Sequence, residues 1–353
     1  MLGQLHHDPS GAQYSIVRGG VAALAPPGGG RYTAGVGAAL LLLALCAAPA
    51  AASAPARDPR ALASYDFDAS RPLGDRVRRI PRWLLALWAK ADGDPRYAAY
   101  APMPDERREF AAALDGLPEP MKKVLRERLI AFYFVSDLKG NGLTDWVLDS
   151  SRRTYSYMLL NPAGFHEDLS KLLTRRARSA FRGRPDLRVY AGEEDGIVYT
   201  VSHECTHAVD YAVHLTPYTE PQQGKALGLS APDGWDVWKA YALPRRRDDY
   251  PLRRSLSFYG FGGPNLDASQ APAACAQLAK SPFASLYGSR SWAEDLAELF
   301  VARHLTQDLH LPYRVLCGGK LYEPMKNPRV AARARDLLGP LYGKGAPRPN
   351  LLH

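Results

Sequence analysis

The chain has 353 residues, 46% of them hydrophobic, and a formal net charge of +9. That composition can bury a full core, as one large domain or two small ones. The arginines fall in scattered clusters (Arg175-Arg176-Arg178, Arg245-Arg246-Arg247, Arg253-Arg254, Arg333 and Arg335) without interleaved aromatics, which argues against a nucleic-acid surface and leaves solvated faces, adhesion to an anionic cell envelope or attraction of acidic substrates.

Residues 1–56 read as a leader with a signal peptide. Ala39 to Ala54 is a short apolar run ending in small residues, with Arg18 and Arg31 before it and a cleavage region around Ala50 to Ala56. Pro49 and the alanine content make it a poor permanent span. A lipid anchor at Cys46 is disfavoured by the bulky Leu45 before it. The expected location is therefore secreted or periplasmic. A start site placed too far upstream would explain the long Gly-rich stretch before the run.

Residues 57–116 read as an N-terminal helical segment or linker, with helical patterns at Trp83–Ala91 and Asp105–Leu114. Such a segment either packs as a subdomain or covers a site as a pro-segment. A stronger helical pattern follows at Met121–Val135. Asp137 to Trp146 reads as a turn. It faintly suggests a calcium loop, but Lys139 stands where an acceptor belongs and Leu148 where the bidentate Glu belongs. Thr154–Leu160 alternates as a strand, and a helix is expected from about His166 to Arg182. Arg188 to Val201 carries β-branched and aromatic residues, so part of it should be a strand, with Ser202 as N-cap of the next helix.

That next helix contains His203-Glu204-Cys205-Thr206-His207. Positions four apart lie about 40° apart on a helix, one turn above each other, so His203 and His207 can aim two imidazoles at one ion. Glu204 would sit beside that ion, where it can take a proton from water. The alternative is a helix whose histidines only pack or cap. Cys205 reads as a small buried filler on the back face. Asp210 either hydrogen-bonds within the site or holds a local loop.

A catalytic zinc needs a third protein ligand. A third histidine on the same motif fails, because Asp210 stands where the Gly belongs, Val213 where the His belongs, and His214 misses by one position. The insert 215–285 reads as loops with short helices around Trp235–Ala242 and Pro272–Lys280, roofing one side of a cleft. Beyond it, Ser291 is an N-cap for a helix with Leu296, Leu299, Phe300 and Val301 at helical spacing. Glu294 and Glu298 share a face one turn apart. Glu294 would be the ligand, and Glu298 would accept the outer N–H of a ligand histidine and fix its tautomer. Two solvated surface glutamates are the alternative. After export, Cys205, Cys275 and Cys317 remain, which suits a Cys275–Cys317 disulfide with Cys205 buried; two free thiols stay open. A helix near Pro328–Leu338 and a Gly/Pro-rich end complete the chain.

HExxH followed by E-x-x-A-E is similar to the gluzincin metallopeptidases. More narrowly, Tyr287-Gly288, five residues, then Glu294-Asp295-Leu296-Ala297-Glu298-Leu299-Phe300, together with His207-Ala208-Val209-Asp210, resembles the catalytic domain of lethal-factor-type toxin peptidases. A weaker likeness reaches upstream to Leu117-Pro118 and Gly142-Leu143-Thr144, so the resemblance spans roughly 117 to 305. It implies an α+β, zincin-like fold, mostly helical, with a small mixed sheet beside the HExxH helix and a catalytic domain over 117–345. The edge of such a sheet pairs with substrate backbone. It implies an exported Zn²⁺-dependent endopeptidase acting on a peptide or protein substrate, with metal ligands His203, His207 and Glu294, general base Glu204, Glu298 behind the ligands, and Tyr287 facing the site to stabilise the oxyanion. The competing readings are an inactive zincin scaffold that only binds, and a zinc amide hydrolase acting on the cell envelope.

Overall fold

The computed structural model describes residues 57–344. The leader, Cys46 and the last nine residues lie outside the described residues. In chain order the elements are β1 (Val77–Arg78), α1 (Arg82–Asp92), β2 (Ala98–Tyr100), α2 (Pro104–Asp115), α3 (Glu119–Arg128), β3 (Leu129–Ser136), β4 (Gly142–Leu148), β5 (Thr154–Leu160), α4 (Leu169–Arg178), β6 (Phe181–Arg182) and β7 (Leu187–Tyr190). They continue with α5 (Ile197–Val213), α6 (Pro221–Leu227), β8 (Trp238–Ala240), β9 (Leu243–Pro244), β10 (Leu266–Asp267), α7 (Ala271–Leu278), α8 (Trp292–Arg303), β11 (Arg314–Cys317), β12 (Lys320–Tyr322) and α9 (Pro328–Leu337). This is a mixed α+β architecture.

The main sheet has five strands in the order β1-β3-β5-β4, with β2 on the far end of β3. β3 runs parallel to β1 and β5, whereas β4 is antiparallel to β5. The segment 57–116 is woven into this sheet through β1 and β2, and Phe110 and Leu114 of α2 join the common core. Arg76 is buried there and donates to the carbonyls of Leu125, Leu129 and Arg126, tying the segment to the end of α3.

The helix expected over Met121–Val135 ends at Arg128. From Leu129 the run LIAFYFV is buried on both faces as the middle strand of the sheet. A continuous apolar run is ambiguous in sequence, and here two-sided burial selects the strand. The expected strand before the HExxH motif is only the four residues of β7, and α5 already starts at Ile197 behind Gly196. Ser202 is therefore no N-cap: it lies mid-helix and its hydroxyl donates to the Val198 carbonyl at 2.7 Å. The β-branched Ile197, Val198, Thr200 and Val201 are accepted because α5 is buried among α2, α3, α8 and the sheet, and packing overrides their modest helix propensity. Trp235–Ala242 is no helix: it contains β8 and the turn that leads into β9, a small hairpin anchored by the fully buried Trp238.

The turn expected over Asp137 to Trp146 extends only to Asn141, and from Gly142 the chain is strand β4, paired along its length with β5. Among the other expected elements, α1, α2, β5, α7 and α9 lie within a few residues of their expected bounds, and α4 is capped by Asp168, whose carboxylate accepts from the Lys171 N–H at 2.7 Å. Cys275 and Cys317 form a disulfide joining α7 to β11, and Cys205 is a buried free thiol. No helix among the described residues is long and apolar enough to cross a membrane.

Candidate metal centre and cleft

The buried helix α5 presents His203 and His207 on one side, and α8 crosses it there, supplying Glu294. Ser291 caps α8 by accepting from the Glu294 N–H at 3.3 Å, which fixes where the first acidic turn begins. The two Nε2 atoms lie 3.1 Å apart, and Glu294 Oε2 lies 3.1 Å from His203 Nε2 and 3.5 Å from His207 Nε2. Around a tetrahedral ion with bonds of about 2.0–2.2 Å, neighbouring ligand atoms are about 3.3–3.6 Å apart. The three donors therefore already span one face of such a tetrahedron. Glu294 Oε2 is buried and faces the two imidazole Nε2 atoms. The group can hold a metal ion.

Electrostatics point the same way. Burial would raise the Glu294 carboxyl, and the adjoining His203 and His207 rings more than reverse that, holding it well below the carboxylate range. Burial alone would depress His203, but Glu294 and Glu298 push its imidazole up to about 10. The two carboxylates thus favour a positive charge at His203, which a bound cation would equally supply.

Behind the ligands, His203 Nδ1 lies 3.1 Å from Glu298 Oε1, so the tautomer leaving Nε2 free for a metal is the one Glu298 selects. Glu298 is fully buried and satisfied: Arg176 of α4 grips it with both terminal nitrogens at 2.6 and 2.7 Å, Ser285 donates at 2.6 Å and Tyr199 at 3.0 Å. Burial would raise Glu298, but Arg176 and then His203 hold it far below the ordinary range. Gly288 is needed for this approach, since a Cβ there would stand 3.0 Å from Glu298 Cβ. None of Arg176, Tyr199 and Ser285 is visible as a site residue in the sequence. Arg176 sits in a cluster that reads as solvated, yet it is 3% exposed.

Glu204 lines the cleft beside the metal ligands. Thr144 of β4 donates to its Oε2 at 2.7 Å, and Gly142 allows β4 to come this close, because a Cβ would meet Glu204 Cγ at 2.9 Å. Burial raises the Glu204 carboxyl above the usual range despite the nearby histidines. Tyr287 reaches the same cleft, with its hydroxyl 3.2 Å from Glu294 Oε1 and its ring against that of His203. Asp210 does not face the site. Its carboxylate accepts from the Thr216 N–H and hydroxyl and from Thr219, closing the loop after α5.

The cleft is a cavity of about 610 Å³, in the range of sites that enclose a small ligand. Its walls carry Tyr218, Tyr241, Phe258 and Tyr287, and its residues come from 142–294, so the segment 57–116 contributes nothing to its lining. At one end lies Glu220, buried against Trp146, whose indole N–H donates to it. Burial first, and then Asp145, push its carboxyl up to about 8. A carboxyl raised in the folded state contributes stability below its ordinary value that is lost as pH rises through the folded one. Unfolding free energy should accordingly fall between pH 5 and pH 9, by roughly 4 kcal/mol from this group, and Glu220→Gln should flatten the profile. Parallel melting profiles for the two proteins over that range would refute the assignment.

No protein-family model, curated protein or solved structure matches this chain. Its functional reading rests on its own residues.

Proposed function

We propose that this chain is an exported zinc-dependent peptidase of gluzincin type, built on a zincin-like fold. The observation that carries the proposal is the meeting of His203, His207 and Glu294 at one point, with Glu204 beside it in an open cleft. Two imidazoles and one carboxylate suit Zn²⁺, and such a three-ligand set leaves a position for chemistry. When bound, Zn²⁺ would polarise the scissile carbonyl and acidify water.

The chain's own residues do the rest. Glu204, held by Thr144, accepts a proton from the attacking water and returns it to the leaving amine. The Tyr287 hydroxyl donates to the oxygen on which negative charge develops. Glu298 keeps His203 in the ligand tautomer. The edge of β4 aligns the substrate backbone. The Leu148 N–H turns outward to the Arg60 carbonyl, and alternate residues of a strand share a side, so Thr144 and Gly142 also present their N–H and C=O to the edge away from β5. Among the described residues no strand pairs with that edge. The Cys275–Cys317 disulfide supports an oxidising destination, in keeping with the signal-like leader.

The metal content of purified protein, wild type beside Glu294→Ala, tests the proposal. About one zinc per wild-type chain is expected, with affinity in the variant lower by at least about 100-fold and peptide cleavage lost with it. Zinc retained by Glu294→Ala would mean the ligand set is wrong.

A further inference from the structure

The free edge of β4 is short, and both of its ends are closed. At the end toward Leu148, the preceding segment lies against the strand: Ala61 bridges to Leu148, the Arg60 carbonyl accepts the Leu148 N–H at 2.8 Å, and the Arg60 guanidinium covers the Trp146 carbonyl while pairing with Asp145 at 2.6 Å. At the other end stands the loop after Leu256, whose Phe258, Tyr259 and Phe261 line the cleft. The Leu256 carbonyl accepts from Arg290, and the loop then meets the residues just before β4. There the Tyr259 hydroxyl accepts from Asn141 Nδ2 at 3.1 Å and Lys139 stands 4.5 Å over the Phe261 ring. The Tyr259 N–H is fixed by Ser179 at 3.1 Å, and Asn141 is held from behind by Arg175 at 3.1 Å.

Between these closures, the edge offers the backbone groups of Gly142 and Thr144 and the N–H of Trp146. Gly142 to Trp146 spans about 14 Å at about 3.4 Å per residue. Thr144 and Gly142 lie directly over Glu204, so the position of bond cleavage falls in the Gly142–Thr144 part of that span. Resting on the peptidase reading above, we infer that the cleft takes short peptides, about four residues in extended form, and rejects long chains and folded proteins. The aromatic walls favour apolar side chains next to the cleaved bond.

The test is a length series. A hexapeptide substrate, selected from a random library with the zinc-loaded full chain and blocked at both termini, is extended symmetrically to 8, 12 and 20 residues around an unchanged central sequence. The expected kcat/KM is highest for the hexapeptide and at least tenfold lower from 12 residues upward. Tyr259→Ala/Phe261→Ala, checked for an unaltered melting temperature, should restore the 20-residue peptide to within about threefold of the hexapeptide. Equal kcat/KM across the series in the wild type would overturn the length limit and leave the peptidase reading intact. No turnover at any length by zinc-loaded protein would overturn both.

Discussion

Glu204→Gln is expected to lower kcat/KM by about 10³-fold or more while leaving bound metal and fold intact. The substitution keeps the shape of the side chain and a carbonyl oxygen for the Thr144 hydroxyl. It removes the lone function that an amide cannot perform, which is to accept a proton and later release it. General acid–base groups contribute about 10²–10⁴ in rate, and here one residue serves both transfers. Metal binding should be unchanged, because the three converging donors are His203, His207 and Glu294. Stability should hold or rise slightly, since a buried carboxyl held above its usual range is replaced by a neutral group. Zinc content, melting temperature and peptide turnover on the same preparation check this. Turnover within tenfold of wild type would remove Glu204 from the mechanism.

Arg176→Met is the second change with a large expected effect, and it separates structure from tuning. Arg176 and Glu298 are a fully buried, doubly hydrogen-bonded pair. Removing the guanidinium strands a carboxylate in the core, which costs about 3–5 kcal/mol. Arg176→Met/Glu298→Gln should recover much of that loss, because the second substitution removes the stranded charge. Metal affinity should not recover. With a neutral amide behind His203, the ligand is a weaker base, and loss of such a partner lowers affinity by about 10–100-fold. Denaturant unfolding and chelator competition on the three proteins read the two effects separately. Recovery of stability and metal affinity together would show that Arg176 acts only through folding.

Arg176 also illustrates what limits reading from sequence. Its neighbours Arg175 and Arg178 are more exposed, and a basic run at the end of an amphipathic helix reads as solvated. What singles out the middle arginine is that its partner stands 122 residues later in the chain. The length limit inferred above rests likewise on Arg60, Tyr259 and Asn141, three residues from separate loops with no local signature. The two errors around Leu129 and Ile197 have a related origin. Both stretches are apolar and β-branched or aromatic, and which form they take depends on how many neighbours cover them.

The sequence by itself singled out the candidate ligands, because His203 with His207 and Glu294 with Glu298 are paired by helical periodicity, which is local. It also determined the N-cap of α8 and most helices, since capping and amphipathic pattern act within one element, whereas the Cys275–Cys317 pairing it left open. Only the tertiary structure decided that α8 crosses α5 so that Glu294 meets both histidines, that Arg176 is buried beneath them, that Asp210 serves a loop, and that the edge of β4 is closed at both ends. Those outcomes follow from packing between elements far apart in the chain, where burial and the pairing of buried charge select one arrangement and no local pattern records it.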